Sequence, residues 1–204
     1  MNRKEINELL SSIGWTKFYL EPDTAQQIRL GEKVVTVVVI NNTFSVSFDP
    51  MLSTDIFDKF VHIIGAYDVD HYTGKVKRYR YALGSTLCET QVRLNKQDYD
   101  ARDMLEMSNQ VLKWAASVDV EAGLAELRAL PTDCLGALPV HHFAALAVAG
   151  DVDTLGRYRD NFAAGERMDF VPYIDEGYIA RALELAEKRK ADPNWIPDKP
   201  KMRV

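Results

Sequence analysis

Residues Leu30–Pro50 read LGEKVVTVVVINNTFSVSFDP, and the fold turns on how this stretch is covered. In its second half Phe44, Val46 and Phe48 alternate with Thr43, Ser45 and Ser47, the pattern of a strand with one dry and one wet face. In its first half Val34, Val35, Val37, Val38, Val39 and Ile40 put apolar side chains on both sides of the pleat, and only Thr36 interrupts them. Both faces of this strand therefore need cover.

Outward from this run, short strands are predicted over 26–30, 33–40 and 43–48, with Gly31-Glu32 and Asn41-Asn42 as the two-residue turns. They make an antiparallel meander, entered from a loop around Pro22 and ended by Asp49-Pro50, because proline cannot donate to a ladder. Ahead of it, Ile6, Leu9, Leu10 and Ile13 give a first helix that Gly14 stops. Behind it, Ser53 opens a helix to Ile64 carrying Ile56, Phe60, Ile63 and Ile64 on one face. Strands over 75–83 and 86–94 follow, joined at Gly84-Ser85. Asp98 then caps a helix to about Ser117 with Leu105, Ser108, Leu112 and Ala115 along its buried side.

From Asp119 onward the pattern is helical throughout. Asp119, Pro139, Asp151 and Pro172 open successive segments, and Trp195 and Ile196 pin an irregular proline-rich tail. The stripe Tyr173, Ile174, Tyr178, Ala182 and Leu185 reads as core. The expected fold is thus α+β, an antiparallel sheet in α-βββ-α-ββ-α order followed by an all-helical extension, with domains 1–118 and 119–204.

The chain has 204 residues, 47% of them hydrophobic, enough for a sizeable core without staples. A net charge of −5 argues against nucleic acid and anionic membrane as partners. Cys88 and Cys134 have neither metal nor redox spacing and read as small buried hydrophobes in a reducing compartment. The opening MNRKEINELL lacks the apolar core of a secretory signal, and no window is apolar enough for a membrane span, so a cytoplasmic protein is expected.

Residues 2–117 resemble the class I type III secretion chaperones, small acidic bacterial proteins that hold effectors before export. The likeness lies in INELLSSIG as opening helix, IRLGEKVVTVVVI as first hairpin, and YALGSTLCETQVRLNKQDYDARDMLEMSNQVLKWA as last two strands and closing helix. About 85 further residues follow where such chaperones usually stop. The resemblance implies a homodimer that wraps an extended segment of a client protein along its sheet faces and edges. On that reading Val35, Val37 and Val39 face the partner, with Tyr79 and Tyr81 supplying contact area from the later hairpin.

Other groupings carry weaker chemistry. His62, Asp68, Asp70 and His71 fall within ten residues, yet loop aspartates serve turns equally well and no calcium-loop glycine is placed among them. His141 and His142 have no serine or cysteine partner fixed in sequence. LGEK and ALGS are turns rather than phosphate loops. No metal, no cofactor and no catalytic residue are therefore expected. The protein partner is an effector-like client or, alternatively, a folded toxin held on acidic surface such as Asp68, Asp70, Asp98, Asp100 and Asp103; an enzyme built on the histidines is the third reading.

Overall fold

The computed structural model describes residues 1–19, 24–42, 45–65, 86–96 and 98–197. The expected strand over 75–83 and the turn at Gly84-Ser85 lie outside them. Helix α1 (Arg3–Ser12) is followed by β1 (Thr16–Tyr19), β2 (Thr24–Leu30), β3 (Lys33–Asn42) and β4 (Ser45–Thr54), then α2 (Asp55–Gly65), β5 (Cys88–Glu89), β6 (Val92–Leu94) and α3 (Ala101–Ser117). The strands are antiparallel in the order β1-β2-β3-β4-β5, with β6 also on β4. An α+β architecture with a helical C-terminal part is what the sequence predicts.

Three local readings are corrected. β1 lies where the sequence reads as loop. β3 runs on through Asn41 and Asn42, with Asn42 opposite Ser45, so the expected Asn-Asn turn belongs to the strand. Strand β4 continues through Pro50 to Thr54 rather than ending there, and α2 opens at Asp55. The Pro50 carbonyl accepts the Thr90 amide at 3.2 Å, so the nitrogen of Pro50, which carries no hydrogen, faces the same side. β5 and β6 share one register against β4, Leu52↔Cys88 and Phe48↔Val92, and the ladder breaks opposite Pro50. The proline thus interrupts the neighbouring strand instead of terminating its own.

Alternation on β3 decides what is covered. Val35 and Val37 join Val46, Phe48 and Leu52 in a core roofed by Ile6 and Leu10 of α1 and by Met104, Met107, Val111 and Ala115 of α3. Each fully buried aliphatic or aromatic side chain contributes about 1.5–3 kcal/mol. On α3 the buried stripe is shifted by one position from the expected one: Met104 and Val111 are buried while Leu105 and Leu112 are half-buried. The anchor is Ser108, wholly buried and accepting the Trp15 indole N–H at 3.0 Å. The α3 cap is Asp100 rather than Asp98, since Asp103 three residues on returns a bond to the Asp100 amide at 2.9 Å. At the other end of α3 the Lys33 ammonium donates to the carbonyls of Ala115, Ala116 and Val118.

The remaining helices are α4 (Val120–Arg128), α5 (Leu138–Val148), α6 (Val152–Ala163) and α7 (Glu176–Ala191). α5 is buried on every side from Pro139 to Ala147, as a central helix must be. The α5–α6 turn needs Gly150, at φ +68, because a Cβ there would stand 3.1 Å from the Lys190 backbone nitrogen. Phe143, Tyr158, Phe162 and Phe170 pack ring against ring beside it, and the Arg167 guanidinium lies over Phe162. α7 begins at Glu176, capped by Asp175, rather than at Pro172. Of the expected stripe Ile174, Ala182 and Leu185 are buried, but Tyr173 is exposed and its hydroxyl donates to the Gly136 carbonyl. Trp195 does pin the tail, ringed against Phe60, whereas Ile196 is exposed.

The chain divides into two compact units, Met1–Asp55 with Thr86–Val120, and Ile56–Ser85 with Glu121–Val204. α2, counted with the sheet in the expected 1–118 domain, belongs to the helical unit. Its Phe57 ring meets His141 edge-on, and its Ile64 carbonyl accepts from Arg181 at 2.8 Å. Among the described residues no helix is long and apolar enough to cross a membrane.

Candidate functional site

The residues expected to face a partner occupy other places. Val35 and Val37 are at most 1% exposed and Val39 packs against the same core, so the protein's own α1 and α3 already cover them. Even-numbered β3 residues make the opposite face, where Val34 and Thr36 are buried, Val38 is half-buried and Ile40 is 40% exposed. Tyr79 and Tyr81 lie outside the described residues. So do Asp68, Asp70 and His71 of the proposed metal grouping, and no group of three or more metal-ligating side chains occurs among the described residues.

The histidines of α5 serve the interior. His142 is 1% exposed and is held between the Leu127 carbonyl, 2.9 Å from Nδ1, and the Tyr158 hydroxyl, 3.0 Å from Nε2. A carbonyl accepts only, so Nδ1 carries the hydrogen and Nε2 accepts from Tyr158. Burial pushes the imidazole below its ordinary value and the Tyr158 hydroxyl above its own. Cys134 is half-buried rather than buried, and its neighbour Leu135 is 71% exposed on the α4–α5 loop. Burial still raises its thiol, which disfavours the reactive thiolate. Of the acidic surface expected for a toxin, Asp100 and Asp103 are spent on the α3 cap, and Lys96 lowers Asp103 further with a bond at 2.8 Å.

What the structure adds is the edge of the sheet. β1 ends the strand order; among the described residues it pairs only with β2, and Thr16 and Lys17 are exposed. A strand in that position presents one row of backbone donors and acceptors to another chain. Beside it α1 begins at a reciprocal cap in which Asn2 accepts from the Glu5 amide at 3.0 Å and Glu5 from the Asn2 amide at 2.8 Å. Helix and strand border a cleft of about 700 Å³ lined by Arg3, Lys4, Asn7, Glu8, Ser11 and Lys17.

Gln26, wholly buried, lies beneath Asn7 of the cleft wall. It stands opposite Lys17 in the β1–β2 register, and residues so paired share a face. Its amide donates to Asn7 Oδ1 at 2.9 Å, yet its carbonyl oxygen is buried with no partner among the described residues. Such an orphan costs about 1–3 kcal/mol. Sequence reasoning places no strand over Thr16–Tyr19; the signal available there is the β-propensity of Thr16, Phe18 and Tyr19.

The model of DUF6990, a family of unknown function, matches residues 2–187 of the chain. No curated protein and no solved structure matches it.

Proposed function

We propose that the chain, which belongs to the DUF6990 family, is a non-enzymatic protein-binding module that holds an extended segment of a partner protein in the cytoplasm. The observation that carries this reading is the edge strand β1, exposed at Thr16 and Lys17 and flanked by the α1 cleft. Strand addition at such an edge gains backbone hydrogen bonds whatever the partner's sequence, and the adjoining cleft selects side chains. The resemblance of residues 2–117 to type III secretion chaperones supports the same role and suggests a homodimer with an effector-like client. His142 and His141, the strongest catalytic candidates, are committed to interior contacts, which favours binding over chemistry.

The test is affinity capture on the full chain in native cytoplasm, followed by hydrogen exchange on the complex remade from purified components. Capture of a partner whose binding slows exchange at Thr16–Tyr19 supports the proposal. Protection confined to other surfaces, with the partner bound as a folded domain, would favour the toxin-binding alternative.

A further inference from the structure

We propose that the groove beside α2 and α7 is a second peptide site, one that takes an extended segment of a partner chain anchored by a single aromatic residue. Residues 192–197 fill it in the structure as a detachable strap. The site belongs to the helical unit and does not depend on the β1 edge. The strap leaves α7 for local reasons. Asp192 ends the helix with extended backbone, φ −140 and ψ 102, as befits the residue ahead of Pro193. Its carboxylate accepts the Asn194 amide and its carbonyl the Trp195 amide, each at 2.9 Å, in a turn that brings the Trp195 ring onto α2.

Four side chains of the helical unit meet the strap. The Trp195 ring lies 6.2 Å from that of Phe60, tilted by 53°, and the Lys188 ammonium stands 5.2 Å from its centroid. Arg189 donates to the Trp195 carbonyl at 3.1 Å, and Lys59 to the Pro197 carbonyl at 3.3 Å. Arg189 is itself aimed by the Val148 carbonyl, 3.3 Å from its Nε. The ring contacts select an aromatic side chain, while the carbonyl contacts suit any residue on the same extended path. Phe60 is wholly buried beneath, yet Ile196 is 51% exposed and Asp192, Pro193 and Asn194 are exposed as well. A strap held by two hydrogen bonds, one ring and one proline belongs to the low-stability end of a structure and opens by itself. A segment of the same chemistry on a partner chain takes its place, competing with a tethered strap whose effective concentration is about millimolar.

The experiment uses the full-length protein and a labelled, end-blocked peptide DPNWIP, with a second peptide in which alanine replaces tryptophan. Fluorescence anisotropy reads binding to the parent and to Trp195→Ala, whose fold is checked by circular dichroism. The variant should bind the tryptophan peptide about tenfold or more tightly than the parent does, because its own strap no longer competes. Adding Lys59→Met and Lys188→Met should weaken that binding severalfold. In the parent carrying fluorotryptophan, the Trp195 fluorine resonance, assigned by its loss in Trp195→Ala, should shift as unlabelled peptide rises toward millimolar. That titration decides the matter even if the variant fails to fold. Equal binding of both peptides would overturn the aromatic anchor. Binding of neither, with no shift in the parent, would overturn the peptide site. A Trp195 resonance that changes with protein concentration alone, together with dimer in sedimentation, would assign the groove to the strap of a second copy and overturn the proposal.

Discussion

His142 and Gln26 are both buried and polar, but their hydrogen-bond accounts differ. His142 has both ring nitrogens matched, and burial lowers its affinity for protons in the fold, outweighing the opposing effects of the Leu127 carbonyl and Asp151. Its unfolded counterpart protonates near pH 6.5. Above that pH both states are neutral and stability is full; as pH falls through 6.5 toward the lower folded value the unfolded chain takes up the proton first. Stability then drops by up to about 1.4 kcal/mol per pH unit. Urea unfolding at several pH values between 5 and 8 should show this slope, and His142→Gln should flatten it; an equal slope in both would assign the effect elsewhere. Gln26 leaves an oxygen orphaned, so Gln26→Leu should stabilise the protein by about 1 kcal/mol in urea unfolding. A loss of stability there would mean that the amide is satisfied in solution. Neither case was legible in the sequence: His141 and His142 look alike as letters, and a glutamine between Ala25 and Gln27 gives no sign of lying under a helix.

Among elements, the sequence yields most where a pattern is long and one-sided. The apolar run of β3, the hairpin at Gly31 and the Asp151 cap of α6 all follow from periodicity and turn chemistry. It misleads where a single residue has two physical outcomes. Pro50 lacks an N–H, which the sequence equates with the end of a strand; in the fold the missing donor faces β5 and β6, and the cost falls on them. Pro50→Ala would supply an amide directed at Thr90, whose own N–H already reaches the residue 50 carbonyl. The new bond is worth about 0.5–1.5 kcal/mol, and loss of the proline costs about 0.4–1 kcal/mol through the looser unfolded chain. The two nearly cancel, so stability should stay within about 1 kcal/mol of the parent while the ladder across 88–94 closes. The readout is exchange at the residue 50 amide: strong protection is expected, and rapid exchange would show that the break has another cause.

At the scale of the whole molecule, the position of α2 decides how the chain can be divided. A composition shift near residue 118 suggests a cut between a sheet domain and a helical extension, but composition is blind to a helix that leaves the sheet early. Helix α2 buries Phe57, Phe60, Val61 and Ile64 within the helical unit, Phe57 against His141 and Phe60 against Trp195. Ending the chain at Val118 removes α4 to α7 and strips those partners from a helix still attached to β4. Four large side chains, each worth about 1.5–3 kcal/mol when buried, are then left facing water. The shortened chain should therefore aggregate when expressed, as read by its soluble fraction and by sedimentation, whether or not a client binds at β1. Adding Phe57→Gln, Phe60→Glu, Val61→Lys and Ile64→Glu to the same shortened chain should return it to solution, because the core that α1 and α3 form on one face of the sheet contains no residue of α2. If the unmodified 1–118 chain proves soluble and monomeric, the contacts that bind α2 to the helical unit are not what keeps its apolar face dry.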